Sequence, residues 1–481
     1  MITRVVVHGR SRRSSGAFAW ALTLTAVWAS AARAQSAPPA PDARPAYQQY
    51  RYDEDWSGLK DVSRHQDGWD GIKYVPLKRD DWYLSVGGEA RWRYEQVREP
   101  GFGSQPDDAN GYALQRYLLH TDWHFGTRVR AFLEIQSGLE DGRNGGPRPT
   151  DKDTLDLHEA FVDVKLRNND KGSVALRLGR HEVAFGAGRL ISAAEGLNVR
   201  RSFDGARLIV KRGAWTWNST AMRLVLAVPG AFDDHSDPGL VSWGAGGNGP
   251  RPWLGPGNLA VYYIGARRRN ARFDQGTADA TRHSAGVRVW GSAGRADYDE
   301  EAIVQWGTFG HDPIRAYAIA SDIGWVLTST AGHPRLGTRV FATSGDRDPI
   351  APTLNSFDPL FPSIAYSGKA GLIGPTNLVT VDPSVSFAPH RLLRVTTDWA
   401  MFWRTSTQDG IYGINVAVLR TGQKSTARFV GSQANVELDA RLTAHVTVWA
   451  SVVYFNTGTF LRETPPGVDT RYVASHLSYR F

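Results

Sequence analysis

Arginine is the side chain whose abundance could do chemistry in this sequence: beyond residue 34 there are 42 Arg against 9 Lys. A guanidinium stays ionised, and its planar fork grips a carboxylate through two parallel hydrogen bonds. A row of such forks could hand an acidic group from one site to the next. Other strings invite catalytic or metal chemistry and fail on spacing. His158-Glu159 lacks a second His at the distance a zincin needs. Gly186-Ala187-Gly188 and Gly244–Gly247 precede no helical period, so neither reads as a nucleotide loop. Ser344–Asp348 (SGDRD) could bind a cation through its carboxylates but reads as a plain turn. The 13 His form no ligand pair, and the absence of Cys excludes thiolate metal centres, cysteine nucleophiles and a disulfide scaffold. No catalytic residue, metal or cofactor is expected.

The elements that must position the arginines have period two. Leu84, Val86, Gly88, Ala90, Trp92 and Tyr94 alternate with Ser85, Gly87, Glu89, Arg91, Arg93 and Glu95. Leu393, Val395, Thr397, Trp399, Met401 and Trp403 alternate in the same way with a row that runs from Arg394 to Arg404. Alternate side chains of a strand face opposite sides, so each segment has one apolar and one charged face. About 18 such segments can be counted, each of ~10 residues, the length of a tilted membrane-crossing strand. Those near 215–227, 259–268, 314–324 and 377–387 alternate less cleanly. The Gly/Pro/Asp-rich stretches Asp141–Thr150, His235–Asn258 and Ser344–Ser363 read as long loops, in contrast with short connections such as Gly126-Thr127. The predicted fold is all-β: a transmembrane antiparallel β-barrel of about 18 strands with long loops on one rim. A mean hydropathy of −0.36 argues against helical spans only, because a barrel places its apolar residues at every second position.

Residues 1–34 read as a secretory signal peptide. Arg4, Arg10, Arg12 and Arg13 form a basic start, Ala17–Ala29 an apolar stretch of 13 residues, and Ala32-Arg33-Ala34 a cleavage site. Cleavage near Ala34 removes five Arg and no acid, which takes the formal charge from +8 to +3 and weakens a nucleic-acid reading. Residues 35–49 read as a Pro/Ala-rich linker, and 50–481 as the barrel. Export, aromatics at strand ends and an alternating terminal strand favour an outer-membrane barrel in lipid over a secreted β-sandwich. On that last strand Leu477, Tyr479 and Phe481 share one face, and a terminal Phe in that pattern resembles the assembly signal of bacterial outer-membrane barrels.

Strand parity nominates Arg91, Arg93, Arg128, Arg130, Arg177, Arg207, Arg288, Arg339, Arg394 and Arg404 as lumen groups that could contact an anion. Arg116, Lys165, Lys211, Arg282 and Arg335 share the polar face. Glu89, Glu95, Asp122, Glu134, Glu159, Asp163, Asp297, Asp299, Glu301, Asp398, Glu437 and Asp439 oppose them. The cationic excess is mild, and pairing across strands would absorb much of it. Phe132, Phe402 and Trp449 on the same face could stack on sugar rings.

A series of strings in order along the chain adds a family reading. It includes YRYDEDWSGLKD (Tyr50–Asp61), LSVGGEARWRYE (Leu84–Glu95), LQRYLLHTDWHFG (Leu114–Gly126) and FWRTSTQDGIY (Phe402–Tyr412). LRLGRHEVAFGAGRLISAAEGLNVRRSFDGAR (Leu176–Arg207) is the most specific of them. Over residues 50–481 the chain resembles the alginate export family of outer-membrane porins. The resemblance implies a monomeric 18-stranded barrel whose arginine-rich lumen passes an anionic polysaccharide, such as an alginate-like polyuronate, out of the cell. A small acidic solute would suit the same lumen. The implied partners are outer-membrane lipid and the barrel-assembly machinery, and a periplasmic export scaffold is compatible. Two rival readings fit the same residues: an uptake porin for small organic acids or aromatics, and an outer-membrane barrel enzyme acting on lipid or polysaccharide.

Overall fold

A computed structural model describes residues 45–253, 255–327, 332–363, 368 and 370–481. The expected signal peptide, and the expected linker up to residue 44, lie outside the described residues. Eighteen antiparallel strands close into one barrel. They are β1 (Trp82–Arg98), β2 (Asp108–Phe125), β3 (Val129–Asp141), β4 (Asp153–Asn169), β5 (Gly172–His181) and β6 (Phe203–Arg212). Next come β7 (Trp215–Leu226), β8 (Leu240–Pro250), β9 (Asn258–Phe273), β10 (Gly276–Ala293), β11 (Ala296–Phe309) and β12 (Asp312–Val326). The last are β13 (Arg335–Thr343), β14 (Leu378–His390), β15 (Leu393–Arg404), β16 (Phe429–Arg441), β17 (Val446–Thr457) and β18 (Thr470–Arg480). Each strand pairs with its sequence neighbour, and β18 returns to β1 with Arg480 opposite Glu89.

Burial decides which face is dry. Trp92, Leu119, Leu133, Trp306, Ile319, Trp399 and Val452 are exposed, whereas Glu89, Arg91, Arg116, Asp122 and Glu134, on the opposite faces of their strands, are buried. A soluble sandwich would bury the apolar face. Here that face forms an outer belt that only lipid can cover, and the charged face lines the lumen.

Turns 126–128, 170–171, 213–214, 294–295 and 391–392 make a short rim, and connections 142–152, 182–202, 227–239, 344–377 and 405–428 a long one. The turns 274–275 and 310–311 interrupt the long rim. The His235–Asn258 stretch is not one loop, because it contains β8. Its glycines hid the strand, and packing explains them: a Cβ at Gly247 would lie 2.3 Å from the ring of Trp217 on β7.

The four strands with blurred alternation are β7, β9, β12 and β14, and for the first three the blur has a physical cause. Connections 182–202 and 344–377 fold inward and form an apolar cluster with the wall. Leu190, Ile191, Phe357 and Phe361 pack there against Met222, Tyr262, Ile264, Ala316 and Ala318. Strands that face this cluster are apolar on both sides, so their period fades.

Candidate functional site

Three segments lie in the lumen, and ion pairs and hydrogen bonds hold them to the wall and to one another. The 182–202 and 344–377 connections clasp one another: Ser192 N donates to Phe361 O at 3.0 Å and Phe361 N to Leu190 O at 2.8 Å. Glu195 accepts from Arg116 at 2.9 Å and pairs with Arg200, also at 2.9 Å. Arg200 donates in turn to Glu182, which meets His158 at 2.9 Å. Arg189 pairs with Glu301 on β11. Burial raises the Glu195 carboxyl, but Arg116 and Arg200 outweigh it and hold the group below its ordinary range. Arg201 has only carbonyl acceptors, Ser192 O and Phe361 O, and burial pulls it down to about 10.

The third segment precedes β1. Arg51 donates to Gly88 O at 3.0 Å and Phe481 O at 2.9 Å, while Tyr52 donates to Glu182 O at 3.0 Å. The Tyr52 ring meets Phe132 and Phe161 edge-on. The described end of the expected linker is attached as well: Tyr47 meets His445 at 3.3 Å, and Gln49 O accepts from Arg200 at 3.1 Å.

Most of the nominated arginines are committed to the protein. Arg91 donates to Glu195 O and Leu197 O, and Arg93 to Gly196 O and Tyr472 Oη. Arg130 grips Asp122 at 2.7 Å through two nitrogens, and Arg177 grips Asp163 at 2.8 and 2.9 Å. Arg288 grips Asp299 and lies 4.4 Å over the Trp290 ring. Arg404 is fully buried and donates to five carbonyls, including Gly422 O and Ser425 O, so it staples the 405–428 connection. Arg207 donates to the Asn218 amide oxygen at 3.0 Å, and half-buried Arg339 lies 3.4 Å from Asp322 and 3.7 Å from Asp382. Arg394 is exposed, opposite Asp439 in the ladder. Arg128 departs from its expected strand position: it sits in the exposed 126–128 turn, because β3 begins one residue later.

Loop charges could not be nominated from parity, which applies only to strands; hence Glu182, Arg189, Glu195, Arg200 and Arg201 escaped. All five lie inside the Leu176–Arg207 string, the one available signal. Asp322 and Asp382 escaped because β12 and β14 alternate poorly, and Arg268 because β9 does.

Register shows how the remaining charge is distributed. The inward faces of β5–β10 carry Arg177, Arg207, Lys211, Arg268, Arg282 and Arg288 and, among the described residues, no acid. The inward faces of β11–β16 carry Asp297, Asp299, Glu301, Asp312, Asp322, Asp382, Asp398, Glu437 and Asp439 against Arg335, Arg339, Arg394, Arg404 and Arg441. A cavity of about 160 Å³ lies on the first wall, between Phe185 and Gly186 of the inserted loop and Asn218, Gly246, Asn248, Tyr262, Arg288 and Trp290. A second, of about 190 Å³, lies on the other wall between Arg335, Arg339, Asp382, Ser384, Thr396, Asp398 and Glu437.

Residues 82–475 match the family model described as alginate export. The chain belongs to the alginate export family. Family membership and the closed barrel make this protein an outer-membrane channel. No curated protein matches its sequence. Its fold is shared with solved Pseudomonas aeruginosa barrels. OccK3 (OpdO) is 15% identical with a TM-score of 0.54, covering 83% of this chain and 95% of its own. OpdK, solved with vanillate, is 11% identical at TM-score 0.55, covering 83% and 98%. OccK2 (OpdF), solved in complex with glucuronate, is 11% identical at 0.54, covering 83% and 96%.

Proposed function

We propose that this alginate-export-family barrel conducts solutes bearing sugar carboxylates, with an alginate-like polyuronate as polymeric cargo. The observation that carries the reading is the separation of lumen charge into a cationic β5–β10 wall and an acid-rich β11–β16 wall. A carboxylate is drawn to the first, and its hydroxyls can donate to the acids of the second. Arg288, Trp290, Asn218 and Asn248 place a guanidinium, an aromatic plane and two amides around one cavity, the mixture a sugar acid needs. Conduction requires no covalent step. The carboxylates held by two neighbours, glucuronate in OpdF and vanillate in OpdK, agree with an acidic cargo.

Uptake of small organic acids is the second reading, favoured by cavities of about 160 and 190 Å³, which suit a monomer better than a chain. Passage of a polymer requires the 182–202 and 344–377 segments to withdraw. Flux into proteoliposomes separates the readings: glucuronate entering while an oligouronate is excluded supports uptake, and passage of both supports polymer export. Equal flux of glucose and glucuronate would remove the acidic-cargo reading.

In the same reading the signal peptide is cleaved near Ala34, and an export scaffold delivers polymer at the short rim. The assembly machinery recognises Leu477, Tyr479 and Phe481. Phe481 exchanges backbone hydrogen bonds of 2.9 and 3.1 Å with Gly88, and its ring lies 4.5 Å from Trp69, which donates to Tyr479 Oη. Removal of Phe481 should lower the yield of heat-modifiable barrel in outer membranes; an unchanged yield contradicts this role.

A further inference from the structure

The long rim holds an acidic cluster outside the lumen walls. Asp153 and Asp156 open β4, and Asp234 comes from the 227–239 connection, which lies along that strand. Phe232 N donates to Leu155 O at 2.9 Å, Thr154 Oγ1 to Pro229 O at 2.8 Å, and Asp234 N to Asp156 Oδ2 at 3.0 Å. One carboxylate oxygen from each of the three acids lies within 4.8 Å of the other two.

Acidic clusters are common on loop rims, but this one contains a buried carboxylate that no cation pairs with. Asp153 is fully buried, and neither of its carboxylate oxygens meets a donor at hydrogen-bonding geometry. The neighbouring polar side chain is the Gln136 amide, whose oxygen accepts from Arg200 N and whose NH2 faces Asp153 outside hydrogen-bonding geometry, favouring the carboxylate without matching its charge. The nearest cation is Arg180, 3.6 Å from Asp156, and its fork is occupied by Asp204 at 2.8 and 3.3 Å. Four carboxylates therefore share one guanidinium. The Asp234 carboxyl is raised above its ordinary range by burial and, against its bond from Val228 N, by the charge of Asp156. An ionised carboxylate without a partner is costly to bury, and a bound cation removes that cost.

We propose that Asp153, Asp156 and Asp234 form a binding site for a hard divalent cation, calcium by size, that fastens the 227–239 connection to β4. All donors are oxygen, as Ca²⁺ and Mg²⁺ require. Oxygens up to 4.8 Å apart fit around an ion that binds at about 2.4 Å, whereas magnesium draws its ligands in to about 2.1 Å. The cation would join two segments about 80 residues apart in sequence, Asp153–Asp156 and Asp234, on the rim that faces the loops.

Calorimetric titration of calcium chloride into the detergent-solubilised full chain, previously stripped with chelator, tests the site. One calcium per chain is expected, with a dissociation constant on the order of 10⁻⁴ M and magnesium roughly tenfold weaker. Asp153→Asn should weaken calcium at least about tenfold and leave a heat-modifiable barrel, since it removes a charge that has no partner. Asp234→Asn, on the connection itself, should do the same and decides the test if Asp153→Asn fails to fold. Calcium should also slow proteolysis within 227–239 in the parent and not in the variants. No binding by the parent, or equal binding by parent and variants, as adventitious surface or lipid-bound calcium would give, overturns the site.

Discussion

The β5–β10 and β11–β16 walls enclose one lumen and are built from the same alternating strands, yet their inward charge is opposite. β7 and β15 lie eight strands apart in a ring of eighteen, nearly half the circumference. The cationic wall has six cations and no acid among its described inward residues, and the facing wall has nine acids and five cations. A modest formal charge of +8 for the whole chain conceals this separation. The difference between the walls shows that selectivity can reside in a transverse field, which orients a solute bearing both a carboxylate and hydroxyls, rather than in a net excess of arginine.

The largest effect is expected where the inserted loop hides both walls. Arg200→Ala leaves Glu182 and Glu195 without their shared guanidinium, and breaking a buried pair in this way costs about 3–5 kcal/mol. Thermal unfolding should shift down, and single-channel conductance should rise as the loop loosens; an unchanged conductance would mean that the 182–202 segment does not obstruct the lumen. Next come the walls themselves. Arg288→Glu should lower, and Asp382→Asn raise, the ratio of anion to cation permeability read from reversal potentials. A charge acting through water at about 4 Å is worth about 1 kcal/mol, hence roughly fivefold in that ratio. Shifts in the same direction would break the distinction between the walls.

A smaller effect is expected from acid. Asp346, in the 344–377 connection, is pushed from 3.8 up to about 6 by burial and by the neighbouring Asp409. The anchored loop therefore binds the proton more tightly than the released one. Anchoring is strongest at low pH and is lost as pH rises through about 6. Acidification from pH 7 to 5 should lower conductance a few-fold, and Asp346→Asn should remove the dependence. The smallest effect belongs to Arg128→Ala. Its exposed turn lies off both walls, so stability should stay within about 0.5 kcal/mol and permeability ratios should not move.

The barrel was legible in the sequence because a strand's period is local: Leu84 to Glu95 alone shows which residues share a face, and the burial of Glu89 and Arg91 then shows that the charged face is the inward one. Partners were not legible. Arg91 ends on Glu195 O and Leu197 O, about a hundred residues away, and no strand pattern connects them. The loops that plug the lumen also erased the alternation of the strands they touch, so the wall around Ile264 and Ala318 was hardest to read where it is most contacted. The Asp153–Asp234 cluster was invisible for a related reason, since its members meet only when the 227–239 connection lies along β4. By contrast the Leu176–Arg207 string, singled out by resemblance, is the inserted loop with its two flanking strands, where much of the buried charge network is held.

Current through single channels in a planar bilayer, recorded as glucuronate or glucose is added to one side, tests the two-wall lumen most directly. Glucuronate should reduce the current while glucose does not, and Arg207→Glu with Arg288→Glu should abolish that block while Asp382→Asn preserves it. Equal responses to the acid and the neutral sugar, or a block that survives reversal of both arginines, would contradict a cationic wall that carries the acidic cargo.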